Sequence, residues 1–224
     1  MTDTVYDLVI LGAGSGGYAA ALRGAQLGLS VALIEADKIG GTCLHRGCVP
    51  TKAILHSAET AEAVREAAAV GVRAVFQGID MPAVQKYKDG VISRMHKGLQ
   101  GLVSSRGIEA VRGWGRLIAE DTVEVDGRRY RGRNVVLASG SSSKTMGQRI
   151  SGPVMTSDQA LELDHVPASA IILGGGVIGV EFASAWASLG SQVTVIEGLP
   201  RLVPNEDEAI SKQLERAFRK RRIV

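Results

Sequence analysis

The chain has only two cysteines, Cys43 and Cys48, a scarcity that excludes both a disulfide-stapled scaffold and a four-cysteine zinc site. It also lacks charge of one sign. Lys and Arg number 26 against 23 Asp and Glu, and a net charge of +3 over 224 residues is too small to argue for a nucleic-acid or membrane partner. The basic clusters are local: Arg128, Arg129, Arg131 and Arg133, then Arg219, Lys220, Arg221 and Arg222. They read as a solvated hairpin and a solvated helix end. No basic leader precedes the first apolar strand, and there is no low-complexity segment. The longest apolar stretch, around residues 170–190, contains Glu181 and several glycines, so it is a poor membrane span. These absences lead to the expectation of a soluble, cytoplasmic protein without a metal site. In that compartment a lone pair of cysteines is catalytic or sensing rather than structural.

What the chain does contain is an internal echo. Residues 8–17 read LVILGAGSGG and residues 170–179 read AIILGGGVIG, each a short apolar run followed by G-x-G-x-x-G. A helix-like segment and a second apolar strand ending in Glu follow each motif: VALIE at 31–35 and VTVIE at 193–197. Glu35 and Glu197 stand at the same offset from Gly12 and Gly174, since 35 − 12 = 197 − 174 = 23. With 28 glycines in the chain, one such motif arises by chance about 0.4 times, so a single match would mean little; two with matched flanks and matched acids are specific. Gly12 and Gly174 allow the tight turn off the strand. Gly14 and Gly176 let the backbone approach a pyrophosphate, and Gly17 and Gly179 let helix and strand pack closely. The phosphate then rests on unpaired amides at the helix's positive end, and the glutamate accepts hydrogen bonds from an adenine-linked ribose. A carboxylate at that place repels a 2′-phosphate, so Glu197 argues for NAD over NADP. Two such sites imply two dinucleotides, the pattern of a flavin enzyme that exchanges electrons with a nicotinamide.

Between the echoes, spacing predicts helices over 50–70 and 81–104 and short strands over 108–138. Asp126-Gly127 is a hairpin turn signal, and Val135–Leu137 reads as a buried strand running into a loop at 138–143. The fold class is α/β: two Rossmann-like units, the first with an inserted β-meander and the second incomplete. The boundary falls near residue 150, giving domains of 1–150 and 151–224.

Both cysteines lie in one segment, GGTCLHRGCVPTK at 40–52. As a dithiol the pair closes a small ring on the first turns of a helix, where the helix end and Lys52 make the setting electropositive. This segment resembles the redox motif of the group that holds dihydrolipoyl dehydrogenase, glutathione reductase and mercuric reductase. The resemblance covers the whole chain, including Gly113-Trp114-Gly115 and the loop at Ala138-Ser139-Gly140, where Ser139 replaces the usual Thr. Within the group, Glu197, Gly179, Val177 and the Cys-Leu-His-Arg-Gly-Cys run look most like dihydrolipoyl dehydrogenase. The resemblance implies FAD on Gly12, Gly14, Gly17 and Glu35, with Thr42, Gly115, Ser139 and Gly140 also at the cofactor. It implies NAD on Gly174, Gly176, Gly179, Glu181 and Glu197.

By the same resemblance Cys48 lies against the flavin in charge-transfer contact, and Cys43 is the interchange thiol that meets a dithiol substrate. Lys52 sits near the flavin and pairs with Glu181; if that pair were buried, losing one partner would cost about 3–5 kcal/mol. The implied partners are the lipoyl-bearing acyltransferase of a 2-oxo-acid dehydrogenase complex or a glycine cleavage carrier, and a second copy in a homodimer of the full-length protein. Family members are longer and carry an acid–base His-Glu pair in a C-terminal dimerisation domain. Of the four histidines here, His45, His56, His96 and His165, only His45 is near the cysteines, and it reads as a solvated helix residue. Arg222 stands where the family usually has a helix-ending glycine. Alternatives are a catalytically silent dinucleotide-binding fragment, or a reductase acting on mercuric ion, mycothiol or another disulfide.

Overall fold

The computed structural model describes residues 5–224; the residues before Val5, on which the reading of an absent leader partly rests, lie outside the described residues. Two compact units are formed, one from the chain up to Val49 with Gly90–Arg149, the other from Pro50–Asp89 with Ile150–Val224.

The first unit is built on a six-stranded sheet. Its strands are β1 (Val5–Leu11), β2 (Val31–Glu35), β3 (Glu109–Arg112), β4 (Arg116–Ala119), β5 (Thr122–Val125) and β6 (Arg128–Leu137), in the spatial order β3-β2-β1-β6-β5-β4. The β3, β2, β1 and β6 strands run parallel, while β4, β5 and β6 form the antiparallel meander. Helix α1 (Ser15–Gln26) connects β1 to β2. The apolar runs are continuous because both faces are buried. Val9, Ala32 and Ile34 join Val123, Val125 and Tyr130 in one cluster, while Ile10 and Leu33 join Ala13, Ala21, Val103 and Ile108 in another. Asp126 and Gly127 take φ of 49° and 78°, the left-handed pair that the tight turn between β5 and β6 demands. The expected strand at Val135–Leu137 is the end of β6, but it is not fully buried. Leu137 is 63% exposed because it lies where β6 gives way to the loop.

In the second unit, β7 (Ser169–Leu173) and β8 (Gln192–Ile196) pair in parallel across helix α6 (Val177–Leu189). The apolar stretch around 170–190 is thus a strand, a glycine turn and a helix. No helix among the described residues is long and apolar enough to cross a membrane. Earlier in the chain come α2 (Gly41–Arg46), which belongs to the first unit, then α3 (Cys48–Glu66), a 3-10 turn (Ala67–Val70), α4 (Met81–Ser105) and the short α5 (Ser157–Ala160); α7 (Glu208–Lys220) follows β8. Ile54, Ala58, Met81, Leu161, Phe182, Trp186 and Phe218 share the unit's core. Helix α7 ends on Arg222 at φ 57°, so a non-glycine residue takes the left-handed place, while Ile223 N–H closes the helix onto the Phe218 carbonyl at 3.0 Å. The backbone of Val224 then pairs with β8 through Val193 and Val195.

The basic clusters divide. Arg128, Arg129, Arg131 and Arg133 are solvated on the hairpin and face Glu109, Glu124, Asp121 and Asp7 respectively. Arg221, expected to be solvated, instead turns inward to donate to Ser184 Oγ at 2.7 Å and its carbonyl at 3.0 Å. Lys88 is fully buried on α4, where its ammonium donates to the Leu161 carbonyl at 3.1 Å and the Glu162 carboxylate at 2.7 Å.

Candidate active site

The first glycine motif lies between the end of β1 and the start of α1. Gly12 has φ 100°, and a Cβ on it would stand 2.1 Å from the Ala138 carbonyl oxygen. The loop after β6 therefore walls this turn, fixed there by the Ala138 N–H bond to Leu11 O at 2.8 Å. Ser139 and Gly140 are exposed in that loop. A Cβ on Gly17 would stand 1.8 Å from Gly12 O, so only glycine lets α1 come down on the strand end. Helix α1 begins at an N-cap glycine, Gly14, with no side-chain cap and no acid in its first turn. Its first amides are thus available to a phosphate. Glu35, at the tip of β2, is held by the Ala13 N–H on Oε2 at 2.7 Å and the Asp37 N–H on Oε1 at 2.9 Å. A carboxylate has acceptor capacity beyond these two bonds, which a ribose hydroxyl can use. These residues fit a dinucleotide.

The redox segment is bound to this loop. Gly40 N–H donates to Ala13 O at 2.8 Å, and a Cβ on Gly41, at φ 57°, would stand 2.6 Å from Gly14 Cα. Helix α2 starts there, carrying Thr42, which is exposed, and Cys43, which is half-buried. The expectation of one helix under both cysteines needs correction. The chain breaks at Gly47, and Cys48 is the exposed first residue of α3. A Cβ on Gly47 would stand 3.0 Å from Thr42 O and 3.3 Å from Cys43 Cα. The break thus folds the chain back onto Cys43, and glycine permits it. Gly115 has a steric reason of its own, since a Cβ on it would stand 2.5 Å from Leu11 Cδ1 and 2.9 Å from Ile34 Cγ2.

The second motif repeats the first. Gly174 has φ 102°, Gly176 is the uncapped N-cap of α6, and a Cβ on Gly179 would stand 1.9 Å from Gly174 O. Glu197 accepts from Gly175 N–H at 2.7 Å and Leu199 N–H at 2.9 Å. The Leu199 and Gly175 amides hold its carboxyl below the ordinary range. These residues also fit a dinucleotide. Glu181, one turn into α6, meets Lys52 of α3 at 2.5 Å, but the side chains are 31% and 62% exposed. The pair anticipated from the sequence is made, and it is not buried. The cost of breaking a buried pair does not apply, and an exposed one contributes about 0–1 kcal/mol.

Sequence reasoning misplaced His45. It is half-buried on α2, with its ring edge-on to His96 at a centroid distance of 4.8 Å. A position on a short exposed-looking helix gives no hint of a partner that lies on α4.

The family model for the pyridine nucleotide-disulphide oxidoreductases matches residues 6–224. A dihydrolipoyl dehydrogenase of Bacillus subtilis is 41% identical over 98% of this chain and 50% of its own length. Dihydrolipoyl dehydrogenase 1, mitochondrial, of Arabidopsis thaliana is 38% identical over 97% of this chain and 45% of its own. Among solved structures, the HOCl-induced flavoprotein disulfide reductase RclA from Escherichia coli superposes with a TM-score of 0.76 at 29% identity, covering 97% of this chain and 48% of that one. The chain spans about half the length of the curated relatives it matches. It belongs to the pyridine nucleotide-disulphide oxidoreductase family, whose members join a flavin and a pyridine nucleotide to a disulfide.

Proposed function

We propose that this chain carries the FAD domain (residues 1–150) and the first part of the NAD domain (residues 151–224) of a dihydrolipoyl dehydrogenase, which catalyses dihydrolipoyl group + NAD⁺ → lipoyl group + NADH + H⁺. The observation that carries the reading is the repetition of one glycine-loop and glutamate geometry in both units, with the cysteine segment hydrogen-bonded to the first loop. Gly12, Gly14 and Gly17 hold the FAD pyrophosphate on the amides of α1, and Glu35 takes its ribose; Thr42, Gly115, Ser139 and Gly140 complete that site. Gly174, Gly176 and Gly179 do the same for NAD on α6, and Glu197 takes the ribose that a 2′-phosphate would spoil. Bound FAD supplies two-electron transfer between a dithiol and the nicotinamide. Cys43 exchanges with the substrate dithiol, and Cys48, opening α3, faces the flavin. Lys52 and its partner Glu181 would help hold the flavin and the nicotinamide. The substrate arrives on a lipoyl-bearing acyltransferase or a glycine cleavage carrier, and the full-length protein works as a homodimer. The likeness to a flavoprotein disulfide reductase favours, as a second reading, a different disulfide substrate for the same cysteines.

Anaerobic NADH titration of the FAD-loaded protein tests the roles. A long-wavelength charge-transfer band is expected that Cys48→Ser abolishes and Cys43→Ser retains; the reverse pattern overturns the assignment. Rates with lipoamide against other disulfides then separate the two readings.

A further inference from the structure

His45 and His96 take no part in the chemistry above, yet His45 lies on the helix that carries Cys43 and meets His96 of α4. The ring planes stand at 80° with centroids 4.8 Å apart, an edge-on contact between α2 and α4. His45 Nε2 lies 3.0 Å from the carbonyl oxygen of Ile39, in the turn that leads into α2, so this nitrogen carries the proton and donates. His96 Nε2 is buried and has no hydrogen-bond partner. The charges that bear on His96 come from His45 on α2 and Lys38 in the turn before it. The carboxylate beside that turn, Asp37, lies 3.6 Å from Arg46. A proton arriving on His96 therefore meets cations or potential cations. Burial first, then His45 and Lys38, hold this imidazole below its ordinary pKa.

We propose that His45 and His96 are positioning residues for the redox pair: their edge-on contact seats α2 against α4, and a proton on His96 unseats α2 and uncovers Cys43. Cys43 is half-buried in the seated state, so its accessibility to a bulky disulfide becomes linked to pH. The inference needs only that Cys43 rides on α2; it does not depend on which disulfide the protein reduces.

The test uses the full 224-residue chain with Cys48→Ser, which leaves Cys43 as its one thiol. Labelling with 2,2′-dipyridyl disulfide, a reagent that stays reactive in acid, is followed from about pH 8 down to about pH 5 across the ordinary imidazole range. The Cys43 sulfur forms a mixed disulfide with one pyridylthio group, and the other leaves as pyridine-2-thione, whose absorbance is read. Relative to a small free thiol, labelling is expected to rise several-fold as the pH falls below the ordinary imidazole value. His96→Phe, which keeps a ring edge but takes no proton, is expected to remove that rise. An identical acid rise in His96→Phe, or none in the parent, overturns the proposal. Far-UV circular dichroism checks folding. If His96→Phe is unfolded, His96→Gln replaces it, and ring titration of the parent by NMR gives a second reading. Protonation of His96 without a concerted change in the α2 amides likewise overturns the proposal.

Discussion

The chain builds the same phosphate loop twice and gives it different company. In both copies the first glycine takes φ near 100° and its N–H reaches the second strand, Gly12 to Ile34 O and Gly174 to Ile196 O, each at 2.8 Å. Both third glycines lie against the first glycine's carbonyl, and both glutamates clasp two backbone amides. The surroundings differ. A Cβ on Gly12 would strike the Ala138 carbonyl and one on Gly41 would strike Gly14, whereas a Cβ on Gly174 or Gly176 would meet nothing within 4 Å. The local motif is therefore set by the strand, glycine turn, helix and glutamate of its own copy. Neighbours decide what else the loop does, and in the first unit they anchor the redox segment to it.

The largest way to break the likeness is to add one methyl group to each first glycine. Gly12→Ala combines a strained φ with a carbonyl collision and is expected to cost about 3–5 kcal/mol, while Gly174→Ala meets strain alone, about 1–3 kcal/mol. Hydrogen exchange resolved to β1 and β8 reads each unit separately; equal losses would show that Ala138 does not matter.

A smaller difference is pH dependence. His96, in the first unit, has a depressed pKa, so its contribution to stability is whole above the ordinary imidazole value of 6.5 and is lost as pH falls through the lower folded value. Glu197, in the second, is also depressed, and its contribution is whole above 4.5 and lost only below that. Amide protection around α2 is expected to weaken first on acidification, with β8 holding until the carboxylate range. Simultaneous weakening would contradict this order.

The smallest effect is expected at Lys52. Lys52→Met should change urea stability by no more than about 1 kcal/mol, because the pair with Glu181 is solvated. A much larger loss would mean that the pair is screened from water more than its exposure indicates.

Most of the fold was legible where a local rule acts. The two glycine motifs, the alternating strand–helix order and the Asp126-Gly127 turn each follow from backbone conformation that few residues tolerate. The helices expected over 50–70 and 81–104 are α3 with its 3-10 turn and α4. The cysteine segment was legible as a motif, yet its break at Gly47 was not, because close approach to Cys43 leaves no periodic trace. Long-range partners were hidden too. Nothing local marks Lys88 as buried, and its partners, the Leu161 carbonyl and the Glu162 carboxylate, lie 73 and 74 residues on. His45 and His96 are equally silent about each other. Whether Lys52 is buried or a surface charge stayed open in the sequence, since a motif specifies that two charges meet and not how much water surrounds them.

Strand β6 pairs with two neighbours at once, parallel to β1 from Val5 with Arg131 to Leu11 with Leu137, and antiparallel to β5 from Val125 with Arg128 onward. For the gene, this makes the strand intolerant of small length changes. Losing one codon between those for Gly132 and Leu137 would shift the strand's end by one step, turn its side chains to the opposite faces and draw Ala138 away from the Leu11 carbonyl. An extra codon at the Asp126-Gly127 tip would be absorbed by the turn. Length variation among descendants of this sequence should therefore collect at that tip and avoid β6, although neither segment supplies a residue to the chemistry.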